Sequence, residues 1–126
     1  MADRKSVLIV DDSPTMRSMV RASLRPLKGI TFVEAGNGLE AIERLAIGRI
    51  DLIVLDLNMP DMHGLEVVGF VRRQPAFREI PILVLTTRSD DESREAVLTA
   101  GASLYLNKPF DPATLMEHVR RFLDVP

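Results

Sequence analysis

The sequence has no cysteine, no tryptophan and no long hydrophobic run. Without cysteine, neither a disulfide nor a thiolate metal site can form. No apolar run approaches the ~18 residues that a helix needs to span a bilayer. The formal net charge of −2 does not favour a nucleic acid as partner, because nucleic-acid phosphates attract a basic surface. Since the polar N-terminus is also unlike a signal peptide, we predict a cytoplasmic protein that binds neither membrane nor nucleic acid.

Three common cofactor motifs are missing as well. The pattern G-x-x-x-x-G-K-[ST] does not occur, so nucleotide hydrolysis through a P-loop is not supported. Gly36 and Gly38 form a G-x-G that lacks the third glycine of a dinucleotide site. His63 and His118 do not have the spacing of zinc ligands.

What the sequence does contain is an alternation of apolar runs and helical patterns, which predicts repeated βα units and a parallel sheet. The first, third and fourth runs (residues 7–10, 52–55 and 82–85) are unbroken and suit central strands. The second and fifth (31–35 and 103–106) contain polar residues and suit sheet edges. We therefore predict an α/β fold with a doubly wound, five-stranded sheet in the order 2-1-3-4-5.

The helical patterns have recognisable starts and stops. Ser13 is predicted to cap the first helix, with Pro14 at its first position. Gly48 is predicted to end the second helix (39–47), and Gly101 to end the fourth. A spacing of three or four residues defines the buried faces. The residues predicted on the buried faces of the first, third and fifth helices are Met16, Met19, Val20, Leu24, Leu27, Leu65, Val68, Val71, Leu115, Val119 and Phe122.

The fourth helix, near residues 90–100, differs from the others. Its first turns are rich in charged residues, so Ala96, Val97 and Leu98 are left as its main apolar anchors. A helix with few apolar contacts is expected to be among the less stable elements and is a candidate to move.

Polar residues follow four of the apolar runs: Asp11 with Asp12, Asp56 and Thr86 come directly after theirs, and Lys108 comes one residue later, after Asn107. Because parallel strands end at one edge of a sheet, we expect these side chains to converge where the strand order reverses. Carboxylates that meet there repel one another by about 4 kcal/mol per pair at 4 Å and an effective dielectric of 20. A divalent cation, Mg²⁺ or Mn²⁺, can offset this repulsion, and Lys108 supplies a second positive charge.

Each of these residues also has a structural interpretation when it is considered alone. The acidic pair could favour a helix N-terminus, and Thr86 could simply be a good strand former. Lys108 could be a solvated surface lysine, although Pro109 after it allows a cis bond that would fix its direction. Their convergence is what gives them a chemical role.

The same residues resemble those of a known family. The segments that carry the resemblance are Val10-Asp11-Asp12-Ser13, Asp56-Leu57-Asn58-Met59-Pro60 with Gly64-Leu65-Glu66, Leu85-Thr86 and Lys108-Pro109-Phe110. Over nearly all of the chain they resemble the receiver domain of two-component response regulators, in its single-domain, CheY-like form. The resemblance implies that residues 1–126 form a single receiver domain with a flavodoxin-like fold.

The resemblance implies a phosphoryl acceptor and a metal site. Asp56 would be the acceptor. Asp12 would bind Mg²⁺ directly and Asp11 would bind it through water. Asp56 and the backbone carbonyl of Asn58 would complete the protein ligands.

The resemblance also implies a switch. Lys108 would pair with the phosphoryl oxygens, and Thr86 would donate its hydroxyl to one of them. Inward movement of Thr86 would leave space that Tyr105 could rotate to fill, which would change the surface of the fourth helix, fifth strand and fifth helix. The alternative interpretation of Tyr105 is an edge-strand tyrosine packed on a helix.

The resemblance also implies that the chain acts through partners. The resemblance implies that a sensor histidine kinase donates the phosphoryl group to a chain that catalyses only its own phosphorylation and dephosphorylation. Without an output domain, the chain would act on a flagellar motor switch or pass its phosphoryl group to a relay phosphotransferase. Residues 11–17 resemble chemotaxis members, which favours the motor. We expect a monomer.

Two other functions suit a sheet of this kind. Asp56-x-Asn58 is similar to the D-x-D motif of aspartyl-nucleophile phosphatases of the haloacid-dehalogenase group, but the second acid is missing. A flavin-binding module is disfavoured by the lack of tryptophan near a ring site. Departures from the receiver pattern occur at Thr87, whose bulk would restrict access to the phosphoryl group, and at Arg88 and His63. Arg88, at a position that influences the lifetime of the phosphorylated state in the family, leaves that lifetime open.

Overall fold

The computed structural model describes residues 4–57, 64–87 and 91–126, and within these ranges strands and helices alternate as predicted. The strands are β1 (Lys5–Val10), β2 (Ile30–Ala35), β3 (Leu52–Asp56), β4 (Ile82–Thr86) and β5 (Leu104–Asn107). The helices are α1 (Pro14–Leu24), α2 (Gly38–Ile47), α3 (Gly64–Arg73), α4 (Asp91–Ala100) and α5 (Pro112–Leu123). Over the described residues, none of these helices has the length and apolar character required to cross a membrane.

The strands form one parallel sheet in the order β2-β1-β3-β4-β5, which confirms the predicted fold class and topology. Strands β3 and β4 are buried along their whole length, as is β1 from its third residue on. Apolar residues of α1 and α5 cover one face of the sheet, and those of α2, α3 and α4 cover the other. The edge strands β2 and β5 are only partly buried, as their polar residues predicted.

Capping side chains fix where the helices begin near the carboxyl edge of the sheet. The Ser13 hydroxyl accepts a hydrogen bond from the backbone N–H of Met16, and Pro14 occupies the first position of α1, which confirms both predictions. Asp111 caps α5 in the same way. Asn37 caps α2, although the sequence analysis did not identify it as a cap.

Most residues predicted on the apolar helix faces are buried or half-buried, but the prediction was wrong for three of them. Met19, Leu65 and Phe122 are 51%, 39% and 38% exposed. Each lies at the flank of its helix face, where the apolar stripe meets solvent. In the same helices, the nearby residues Val20, Val67 and Leu123 are buried instead.

Helix α4 is attached to the domain by little apolar surface. Of its ten residues, all of which the structure describes, Val97 alone is buried. The predicted anchors Ala96 and Leu98 are exposed. Gly101, just after the helix, has φ of +121°, which agrees with its predicted role as a helix stop. The structure therefore leaves α4 with fewer anchors than the sequence predicted.

Arg72 of α3 holds the C-terminal end of α4. Its Nε donates to the carbonyl of Gly101 at 2.9 Å, and its Nη1 donates to the carbonyls of Arg78 and Ile80 at 2.9 and 2.7 Å. A Cβ at position 101 would lie 2.7 Å from Cγ of Arg72, so a larger residue would disturb these contacts. Burial lowers the pKa of Arg72, but a guanidinium remains charged at any physiological pH. The C-terminal end of α4 is thus held by a hydrogen bond to Arg72 in addition to the packing of Val97.

Candidate functional site

Four strand ends bring the predicted polar residues to one edge of the sheet. Asp56 and Thr86 are the last residues of β3 and β4. Asp11 follows β1, and its backbone N–H donates to the carbonyl of Ala35 at 3.1 Å. Lys108 follows β5, and its backbone N–H donates to the carbonyl of Thr86 at 2.7 Å. Strand-like hydrogen bonding therefore extends past the strands and fixes the backbone of both Asp11 and Lys108.

Three carboxylates meet at this edge. Oxygen atoms of Asp11, Asp12 and Asp56 all lie within 4.8 Å of one another. Asp11 and Asp56 are only 3% and 4% exposed, whereas Asp12 faces solvent. Two of the three carboxylates are thus buried, and the third is open to solvent.

Lys108 supplies a positive charge to this group. Its Nζ lies 2.9 Å from Oδ1 of Asp56 and 3.4 Å from Oδ2 of Asp11. The lysine side chain is itself only 13% exposed, so it is not the solvated surface residue that was the alternative interpretation. The peptide bond between Lys108 and Pro109 is cis.

The electrostatics of the group are unfavourable for Asp11. Burial raises the pKa of Asp11, and the neighbouring charge of Asp56 raises it further. Two contacts act in the other direction: the backbone N–H of Ser13 donates to Oδ1 of Asp11 at 2.9 Å, and Lys108 is the second. The pKa of Asp11 remains raised, mainly because burial disfavours the charged carboxylate.

The donor set fits a magnesium or manganese ion. Each side-chain donor of the group is a carboxylate oxygen, the ligand type that both ions prefer. Because Asp12 faces solvent, water can complete the coordination shell, as Mg²⁺ usually requires. A divalent cation would also favour the charged form of the buried Asp11 carboxylate.

We expect Asp11→Asn to stabilise the protein when Mg²⁺ is absent. The asparagine retains an oxygen for the Ser13 N–H and removes a buried charge from beside Asp56. Because folding raises the pKa of Asp11 above 3.8, the wild type loses stability as the pH rises through the folded pKa. The variant should gain about 0.5–2 kcal/mol in free energy of unfolding at neutral pH. Denaturant titration should show the gain vanishing below pH 3.8, where Asp11 is protonated in both states.

At saturating Mg²⁺, the wild type should be more stable than Asp11→Asn, which reverses the order expected without the ion. The wild type gains stability in proportion to its affinity for the ion, and the variant has lost one acidic contact. An equal increase in Tm for wild type and Asp11→Asn would contradict a place for Asp11 at the metal site.

Thr86 and Tyr105 lie on the same face of the sheet. Thr86 is fully buried at the end of β4. Tyr105 of β5 is aligned with Val84, two residues before Thr86, and packs half-buried against the core cluster that contains Val84. Since residues i and i+2 of a strand share a face, the side chains of Thr86 and Tyr105 are diagonal neighbours.

Some predicted residues lie outside the part of the chain that the structure describes. These are Asn58, His63 and Arg88. Thr87 is described and is exposed beside the site. The roles assigned to the site residues remain predictions, since geometry alone does not assign a reaction.

One contact at the site was missed by the sequence analysis. Nη1 of Arg17 donates to the backbone carbonyl of Asp11 at 2.5 Å, directly behind the acidic group. The available signal was a basic residue one helical turn after the predicted cap, but nothing in the sequence indicates that its acceptor is a backbone atom.

Comparisons with known proteins agree with this geometry. The response regulator receiver domain family matches residues 7–120. The chemotaxis protein CheY1 of Helicobacter pylori is 40% identical over 112 residues, which cover 88% of this chain and 90% of CheY1. The structure of the Vibrio cholerae chemotaxis protein CheY4 has a TM-score of 0.87 at 39% identity, covering 95% of this chain and 99% of that one.

A structure with a metal ion is also similar. The Mn²⁺-bound form of the response regulator Rcp1 has a TM-score of 0.84 at 26% identity, covering 97% of this chain and 99% of that one. The family match extends from within β1 into α5 and so includes part of β1 and all of the other four strands. The chain therefore belongs to the response regulator receiver domain family.

Proposed function

We propose that this chain is a receiver that accepts a phosphoryl group on Asp56 and transmits a signal by protein–protein contact. The observation that carries the proposal is the 2.9 Å contact between Lys108 Nζ and Asp56 Oδ1 inside a group of three carboxylates. Asp56 ends β3, which lies between β1 with its acidic pair and β4 with Thr86. It is therefore the carboxylate best placed to have a cation on one side and a hydroxyl on the other.

Asp12, Asp56 and the backbone carbonyl of Asn58 would hold the metal ion directly and Asp11 would hold it through water, although Asn58 lies outside the described residues. When bound, Mg²⁺ supplies charge stabilisation to the oxygens of the transferred phosphoryl group. Mn²⁺ has the same ligand preference and could replace it, in line with the Mn²⁺-bound relative.

The reaction asks the protein mainly for alignment and for charge stabilisation. A carboxylate oxygen of Asp56 attacks the phosphorus of a phosphohistidine on a sensor kinase. The phosphorus–nitrogen bond breaks, its electron pair remains on the imidazole, and the ring takes up a proton. Lys108 pairs with the phosphoryl oxygens and Thr86 donates its hydroxyl to one of them. Water later hydrolyses the acyl phosphate, which restores the carboxylate of Asp56.

Phosphorylation would shift the protein between two conformations. The phosphoryl group adds about −1.5 to −2 charge beside Lys108 and Thr86, so both are drawn toward it. Inward movement of Thr86 opens space on the face that it shares with Tyr105. Helix α4 responds readily because Val97 is its one buried residue. The surface of α4, β5 and α5 then differs between the two states, and partners can select one of them.

The partners we propose are a sensor histidine kinase and a separate protein target. The chemotaxis relatives favour control of a flagellar motor switch, and a relay phosphotransferase is the alternative target. We propose that residues 1–126 act as a single domain, and that the protein is a monomer in the cytoplasm. The only reactions that it catalyses are its own phosphorylation and dephosphorylation.

The proposal is tested by incubating the protein with acetyl phosphate and measuring its intact mass. We expect one added phosphoryl group with Mg²⁺ and none when a chelator removes the ion. The adduct should be lost at alkaline pH, because acyl phosphates are labile to base. Sustained phosphate release from a phosphomonoester, without a labelled protein, would instead support the phosphatase alternative.

A further inference from the structure

We propose that Arg17 is a positioning residue of the metal site, which holds the backbone between Asp11 and Asp12 so that the Asp12 carboxylate faces the metal. The inference rests on the proposed function, because it concerns the same Mg²⁺ site. Arg17 lies on α1 and is only 18% exposed. Its Nη1 donates to the carbonyl oxygen of Asp11 at 2.5 Å, and its Nε donates to Oε1 of Glu34 at 2.8 Å.

Asp12 is the carboxylate that needs such support. The side chain of Asp11 is buried and is held by the Ser13 N–H and by Lys108, and that of Asp56 is buried beside Lys108. Asp12 is exposed, so packing does not restrain it. The direction in which its side chain leaves the backbone is set by the preceding peptide group.

The carbonyl that Arg17 holds belongs to that peptide group. A peptide group is planar, so fixing the Asp11 carbonyl also fixes the N–Cα bond of Asp12 in the same plane. A shift of this carbonyl would rotate Asp12 relative to Asp11 and Asp56. Arg17 therefore restrains the exposed ligand through the backbone while the two buried ligands are restrained through their own side chains.

Glu34 keeps the guanidinium of Arg17 in place. It lies on the edge strand β2 and accepts from Arg17 Nε and from Arg21 Nη1. Its own carbonyl accepts from Nε of Arg44 at 3.2 Å. Because a guanidinium is planar and rigid, Arg17 can bridge the Glu34 carboxylate and the Asp11 carbonyl at a fixed angle, which a lysine with one nitrogen cannot do.

The charge of Arg17 and its positioning role would change the affinity for Mg²⁺ in opposite directions. If Arg17 acted only as a nearby positive charge, removing it would make Mg²⁺ bind more tightly. If it positions Asp12, removing it should weaken Mg²⁺ binding. Loss of residues that orient metal ligands typically costs about 10–100-fold in affinity.

The test is calorimetric titration with Mg²⁺ of the wild type and the variants Arg17→Gln, Arg17→Lys and Arg21→Gln. We expect both Arg17 variants to bind Mg²⁺ about 10-fold more weakly. Arg21→Gln is the matched control, because Arg21 also pairs with Glu34 but has no bond to the Asp11 carbonyl among the described contacts. It should bind Mg²⁺ like the wild type.

Two further readouts separate positioning from a general loss of stability. Thermal unfolding without Mg²⁺ should show a loss for both Arg17→Gln and Arg21→Gln, since each breaks one ion pair with Glu34, and a larger loss for Arg17→Gln, which also breaks the bond to the Asp11 carbonyl. With acetyl phosphate, the Arg17 variants should need more Mg²⁺ for half-maximal labelling but reach the wild-type rate at saturation. If Arg17→Gln does not fold, Arg17→Lys gives the same comparison.

Wild-type or tighter Mg²⁺ binding by both Arg17 variants would overturn the inference and leave the proposed function intact. Equal weakening by Arg21→Gln would also overturn it, since the effect would then belong to the whole Glu34 cluster. Failure of the wild type to bind Mg²⁺ would overturn the proposed function itself.

Discussion

The variant Asp56→Asn is expected to accept no phosphoryl group from acetyl phosphate and Mg²⁺ while remaining fully folded. The amide oxygen is a poor nucleophile, so the reaction loses its acceptor completely rather than by a small factor. The fold should tolerate the change because asparagine has the same shape and its oxygen can accept from Lys108, which lies 2.9 Å from Asp56 Oδ1. Removing one charge also relieves repulsion with Asp11. Intact mass spectrometry and thermal unfolding measure the two effects.

Asp51→Asn is the matched control for this experiment. Asp51 immediately precedes β3, at the opposite end of the strand from Asp56. Its carboxylate accepts from the backbone N–H of Ser6 and pairs with Arg49, so it has a structural role far from the cleft. The control should be phosphorylated like the wild type. Undiminished labelling of Asp56→Asn would show that the acceptor has been assigned to the wrong residue.

The second large effect is a loss of stability that we expect from Lys108→Met. Methionine fills similar space, but it leaves Asp11 and Asp56 without the ammonium that lies 3.4 and 2.9 Å away. Removing one partner of a buried ion pair costs about 3–5 kcal/mol. We expect a loss near the lower end, about 3 kcal/mol in the absence of metal, because the group is open to solvent at Asp12.

Mg²⁺ and acid should both restore the stability of Lys108→Met. The ion no longer competes with an ammonium, so it should bind more tightly to the variant and raise its Tm by more than that of the wild type. Without Lys108 the pKa of Asp11 rises further, so the stability that is lost at neutral pH returns as the pH falls through it. Lys28→Met, which alters an exposed lysine, is the control. If Lys108→Met were as stable as Lys28→Met and bound Mg²⁺ with unchanged affinity, a neutralising role for Lys108 would be contradicted.

The sheet and the strand-end residues could be predicted from the sequence because the relevant signals are local. An unbroken apolar run such as residues 82–85 indicates a strand covered on both faces, and the polar residue after it marks where the strand ends. Parallel strands place all such residues at one edge, so Asp11, Asp56, Thr86 and Lys108 could be assigned to one cleft without coordinates.

The exact faces of the helices could not be predicted in the same way. Helical periodicity defines the centre of an apolar stripe, but its flanks are covered or exposed according to the neighbouring helix. Met19 lies at such a flank and lines an open groove with Ala22, Ser23, Phe110 and Pro112. In α5, Phe122 also lies at the flank of the stripe and is exposed, next to the buried Leu123.

Arg17 could not be predicted for a different reason. Its acceptors are the side chain of Glu34, which is 17 residues away, and a backbone carbonyl. Every residue has a backbone carbonyl, so no residue type signals this contact. A side chain that bonds to a backbone carbonyl beside a site can therefore be recognised only from the three-dimensional structure.

The central claim, that the cleft formed by these strand ends directs a phosphoryl group to Asp56, is tested most directly by locating the modified residue. Borohydride reduces an aspartyl phosphate to homoserine, which tandem mass spectrometry can assign to a single position. After treatment with acetyl phosphate, we predict homoserine at position 56 when Mg²⁺ is present and at no position when it is chelated. Homoserine at position 11 or 12, or reduction at position 56 that does not depend on Mg²⁺, would contradict the account.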